Sequence, residues 1–95
     1  MLINFPVLKQ KLRGHEEVIL HHLLPNGRKQ GCEYVALNPT RVDRNLGSFR
    51  INIHTQQWAD FATEDRGSDL VSLWAYVRNI NQVEAATQIL KLLGR

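Results

Sequence analysis

The stretch SFRINIHTQQWADF, Ser48 to Phe61, decides the fold. Phe49, Ile51 and Ile53 alternate with Arg50, Asn52 and His54, the period of two of a half-buried strand. The three apolar side chains then face a core and the three polar ones face outward. His54-Thr55-Gln56 supplies a turn, and Gln57 to Phe61 a return strand. Upstream, Glu33-Tyr34-Val35-Ala36-Leu37 is also strand-like, which completes a small antiparallel sheet.

Helical patterns flank this segment on both sides. From Asn4 to Leu24, Phe5, Leu8 and Leu12 share one face; Gly14 interrupts, Leu20, Leu23 and Leu24 follow, and Pro25-Asn26-Gly27 ends the run. Downstream, Ser68 is placed as the N-cap of a helix carrying Leu70, Leu73, Trp74 and Val77 on one stripe, with Asp69 in its first turn. Asn79-Ile80-Asn81 breaks that helix. Asn81 and Glu84 have capping-box spacing for the next, whose face holds Val83, Ala86, Ile89, Leu90 and Leu93, and Gly94 occupies a C-terminal cap position. The chain is expected to form one α+β domain. Residues 1–27 form N-terminal helices, 28–66 the sheet segment and 67–95 a C-terminal helical pair.

A domain of 95 residues buries a modest core that metals or disulfides often reinforce. Cys32 is the single cysteine, so no intrachain disulfide forms and a cysteine-based zinc site lacks ligands; with 43% hydrophobic residues, the core carries the stability. The apolar runs are too short for a membrane span, and MLINFPVLKQKLRG lacks the order of a signal peptide, so a cytoplasmic protein without a membrane partner is expected.

The net charge of +3 and pI near 9.4 tilt the expectation weakly toward polyanions. Arg28 to Arg50 holds five basic residues (Arg28, Lys29, Arg41, Arg44, Arg50) against Glu33 and Asp43, and is the segment to meet phosphate, unless it is an ordinary solvated loop. Catalytic chemistry finds little support. His15-Glu16-Glu17-Val18-Ile19-Leu20-His21-His22 is not HExxH, because the next histidine comes too late to stand one turn from His15. Cys32 has no activating neighbour in sequence. Asp60, Glu64, Asp65 and Asp69 could hold magnesium, but capping and solvation account for them.

From Tyr34 to its end, the chain resembles the zinc-binding domain at the amino terminus of DnaG-like bacterial, phage and plasmid DNA primases. That family runs Cys-Pro-x-His, a Ser-Phe-x-Val strand, Cys-x-x-Cys, Gly-Gly-Asp, an apolar helix and a closing Glu-Ala-Ala helix. Here stand Asn38-Pro39-Thr40-Arg41, Gly47-Ser48-Phe49-Arg50-Ile51, Gly67-Ser68-Asp69-Leu70 and Glu84-Ala85-Ala86 through Gly94. The four family ligand positions carry Asn38, Arg41, Phe61 and Glu64, three of which are poor zinc ligands. The resemblance therefore implies a metal-free, zinc-ribbon-like sheet without cofactor. In place of zinc we expect aromatic packing of Trp58, Phe61 and Trp74 and an Arg41–Glu64 ion pair, the latter contributing about 0–1 kcal/mol if exposed.

By the same resemblance the domain is a non-catalytic module binding single-stranded DNA in the replication of a phage or mobile element. Its expected contacts are Arg41, Arg44, Arg50, Asn52, His54 and Trp58. Trp58 either stacks on a base or belongs to the core; strand parity sets it opposite Phe61 and outside. The alternative is a protein-interaction module that docks on a replication or host protein through exposed apolar residues, with Ile19, Tyr76 and Ile80 as candidates.

Overall fold

The computed structural model describes residues 4–94; residues 1–3 and 95, at the outer ends of the first and third segments, lie outside them. Five strands form one antiparallel sheet in chain order: β1 (Arg28–Gln30), β2 (Glu33–Ala36), β3 (Phe49–Asn52), β4 (Trp58–Asp60) and β5 (Asp65–Gly67). Around it stand α1 (Phe5–Lys11), α2 (Glu16–Leu23), α3 (Leu70–Arg78) and α4 (Gln82–Leu92). This is an α+β fold with a small antiparallel sheet. The short edge strands β1 and β5 carry no apolar alternation, so their pairing rests on backbone hydrogen bonds and the tight turns that precede or follow them.

The period-two reading of residues 49–53 is realised. Phe49, Ile51 and Ile53 are buried together with Tyr34, Ala36 and Trp58 on the inner face, where Leu8, Leu12, Ile19, Leu20, Leu70, Leu73, Trp74 and Ile89 of the helices meet them. Burial of large side chains of this kind stabilises by about 1.5–3 kcal/mol each before entropy is counted. Tyr34 ties sheet to helix: its hydroxyl donates to Leu24 O at 2.6 Å, and burial pushes its phenol above the ordinary value, partly offset by a hydrogen bond from the Gly27 backbone.

Helix ends follow local chemistry. Asn4 Oδ1 accepts from Val7 N and Asn81 Oδ1 from Glu84 N at 2.8 Å, and Asn79 at φ 54° closes α3 in the left-handed region. The cap of α3 is Asp69, not Ser68: Asp69 has extended backbone and its carboxylate accepts from Ser72 N at 2.7 Å. A carboxylate both satisfies an orphan N–H and faces the positive helix end, which a serine one residue earlier does neither of. In α4 the buried face is Ala85, Ala86 and Ile89, so Val83 lies exposed, one position off the expected stripe.

The apolar candidates for docking are also corrected. Ile19 is fully buried, while Tyr76 and Ile80 pack partly buried against the core. Among the described residues, the large apolar side chains that do reach solvent are Val7, Val18, Leu37, Val42, Phe61 and Val83.

Candidate nucleic-acid interface

Strand register places one line of side chains across the whole sheet. Arg28, Val35, Arg50, Ala59 and Arg66 are successive cross-strand partners from β1 to β5. Directly opposed residues share a face, and these alternate with buried Tyr34, Phe49, Ile51 and Trp58, so the line lies on the outer face. No helix covers this face among the described residues; all four contribute to the core on the other side. With strands about 4.8 Å apart, the three arginines span about 19 Å.

Arg50 is the fixed member of the line. Its Nε donates to Gly47 O at 2.7 Å and its Nη1 to Glu33 Oε1 at 3.0 Å. Arg28 and Arg66 are exposed and their guanidinium groups have no protein partner among the described residues. Val35, between Arg28 and Arg50, is only 1% exposed, and the Arg50–Gly47 hydrogen bond brings the 37–48 loop to this side, so the face is open chiefly from Arg50 to Arg66. Between Arg50 and Arg66 the small Ala59 leaves an open trough of about 590 Å³, bordered by Glu33, Asn52, Gln57 and Phe61.

The aromatic on this face is Phe61, and Trp58 is not available to a base. Trp58 is 5% exposed, packs against Phe49 and Tyr76, and donates from Nε1 to Ser72 Oγ at 3.0 Å. Gly67, its cross-strand partner, permits that contact: a Cβ there would sit 2.6 Å from Ser72 Oγ. Phe61 is 70% exposed. Trp58 and Phe61 do take opposite faces, but the inward one is Trp58: the fully buried Asp60, not Phe61, shares the inner face with it.

Asp60 can be buried because its neighbours satisfy it. Arg41 Nε donates to Oδ2 at 2.9 Å, Asn38 Nδ2 donates to the same oxygen at 2.8 Å, and Ala62 N donates to Oδ1 at 2.9 Å. Burial pushes the Asp60 carboxyl up, but the hydrogen bonds from Arg41, Asn38, Ala62 and Ser48 outweigh it and hold the group well below the usual carboxylate range. Arg41 is also 3.3 Å from Asp43, which accepts from Asn38 N, and it reaches Ser48 Oγ at 2.9 Å. The expected Arg41–Glu64 pair does not form. Glu64 is exposed at φ 66°, and Asp60, four residues earlier, takes the guanidinium. The expected aromatic trio is corrected as well: Trp58 and Trp74 are buried, Phe61 is not.

The six predicted contact residues thus separate. Arg50 and Asn52 lie on the outer face; Asn52 Oδ1 is occupied by His54 N and Thr55 N, both at 2.9 Å. His54 is exposed in the turn beyond β3, and its carbonyl accepts from Arg13. Arg44 is exposed in the 37–48 loop, Arg41 is engaged by Asp60, and Trp58 is core. The reading missed Arg66, which lies outside the basic segment, and the exposure of Phe61. Counting outward residues across all five strands would have found Arg66, but β5 has no apolar pattern to announce it.

The arrangement offers charge and a stacking surface. Among the described residues no group of three or more His, Cys, Asp or Glu gathers to hold a metal ion, and no helix is long and apolar enough to cross a membrane. The acidic residues near β5 disperse: Asp60 is buried, Asp69 caps α3, and Asp65 accepts from Tyr76 Oη at 2.8 Å. Compared with known proteins, the chain matches no family model, no curated protein and no solved structure.

Proposed function

We propose that the outer sheet face binds single-stranded DNA, as a non-catalytic, cytoplasmic recognition module. The observation that carries this reading is the cross-strand line Arg28–Arg50–Arg66, with an open trough between Arg50 and Arg66. Phosphates need cationic donors that the fold has not already consumed, and Arg28 and Arg66 are such donors. A flexible strand also needs a ring to stack on, and the exposed Phe61 borders the same trough. Asn52, Gln57 and Gln30 lie in the adjacent outward row, within reach of base edges. On the resemblance to primase template-recognition domains, the module serves replication of a phage or mobile element.

The test is fluorescence anisotropy of a labelled single-stranded oligonucleotide at about 50 and about 200 mM salt. Two phosphate contacts on a single strand, from Arg28 and Arg66, give a slope of log K against log salt of about −1.4, since each contributes about −0.7. Binding that weakens with salt and is lost in the Arg28→Ala/Arg66→Ala double variant supports the reading. Absence of binding at the lower salt overturns it, and directs the search to a replication or host protein as partner.

A further inference from the structure

A face that takes a polyanion carries one carboxylate near its middle. Glu33, on β2, lies between Gln30 and Asn52 in the row next to the arginines and borders the same trough. One of its oxygens, Oε1, accepts from Arg50; the other, Oε2, has no partner among the described residues. Its side chain is 36% exposed.

As a brace for Arg50 alone, Glu33 is a poor choice. A glutamine carbonyl accepts the same guanidinium hydrogen bond without repelling phosphate. The rest of the row is amide: Gln30, Asn52 and Gln57 flank it, and the Asn52 carbonyl is already consumed by the turn. Glu33 Oε2 is therefore the strong acceptor left without a protein partner in this row among the described residues.

Bases differ in what they offer such an acceptor. Cytosine presents the N4 amino group, adenine the N6 amino group, and guanine N1–H with the N2 amino group. Thymine presents two carbonyl oxygens around a single N–H, so a carboxylate aimed at its edge meets like charge.

We propose that Glu33 is a specificity-determining residue, through which this face selects amino-bearing bases and disfavours thymine. This rests on the single-stranded DNA reading of the face. Arg28 and Arg66 hold the backbone irrespective of sequence, Phe61 stacks on either pyrimidine, and Glu33 Oε2 accepts from the amino group.

The experiment compares labelled oligo(dC) and oligo(dT) of equal length by anisotropy at one salt, for the native protein and for Glu33→Gln, with urea midpoints confirming that both are folded. Native protein binds oligo(dC) about tenfold more tightly than oligo(dT). Glu33→Gln, whose amide still accepts from Arg50 and can also donate to a thymine carbonyl, tightens oligo(dT) most and collapses the preference. Equal binding of both by the native protein overturns the selection while leaving DNA binding in place. A preference unchanged in Glu33→Gln likewise overturns it and assigns Glu33 to bracing Arg50. If neither oligonucleotide binds at low salt, the binding reading and the selection fall together.

Discussion

The 37–48 loop and the outer sheet face hold arginines in opposite circumstances. Arg41, in the loop, is bound by Asp60, Asp43 and Ser48 and fastens the loop to the end of β4. Arg66, on the face, touches no acceptor among the described residues, and Arg28 at the far edge is in the same position. Composition weighs these residues alike. What separates them is a buried carboxylate: a fully enclosed Asp60 must recruit donors, and whichever cation it recruits becomes part of the fold. The cations left over are the ones a phosphate can reach.

Substitutions on the two sides of this divide should behave differently, and the largest effects belong to the buried side. Trp58→Ala is expected to cost about 3–5 kcal/mol in urea denaturation, since it removes a core indole. A loss below about 1 kcal/mol would return Trp58 to the surface and break the assignment of faces. Asp60→Ala is expected to cost about 3 kcal/mol, because the side chain of Asn38 and the N–H of Ala62 lose their acceptor.

Acid sharpens the same point. A carboxyl held below its unfolded value of about 3.9 contributes stability that is complete above that pH and fades as pH falls toward the folded value. The native protein should therefore lose stability from about pH 5 downward, and Asp60→Asn should show a shallower slope over that window, read by urea midpoints at successive pH.

Effects on the outer face should be small for the fold and visible only in binding. Phe61→Ala should change stability by less than about 0.5 kcal/mol while weakening single-stranded DNA binding by about 1–3 kcal/mol. Arg28→Ala and Arg66→Ala should each leave stability within about 0.5 kcal/mol and flatten the salt slope by about 0.7. If either one unfolds the protein, the contrast with Arg41 disappears.

The fold was legible where periodicity was strong. Phe49, Ile51 and Ile53 announced β3 and its buried side, and Asn81 with Glu84 announced the start of α4. Legibility failed where a short element bore no apolar rhythm. β1 reads Arg-Lys-Gln and β5 reads Asp-Arg-Gly, and only their register with neighbours shows which side each residue takes. It failed again at Asp60, where a charge occupies an inward position that pattern reasoning reserves for apolar residues. The site suffered from both: Arg66 sat in an unannounced strand, and Phe61 was assigned the place that Asp60 holds.

Every strand of this sheet pairs with its neighbour in the chain, without a crossover. Each hairpin can therefore close before the next begins, and no strand must wait for a distant segment to arrive. Chains with such local connectivity lose little loop entropy in forming the sheet, which places this one toward the faster side for mixed α/β domains. A strand emerging from the ribosome could zip β1 through β5 in order of synthesis, leaving α3 and α4 to close over a sheet already formed.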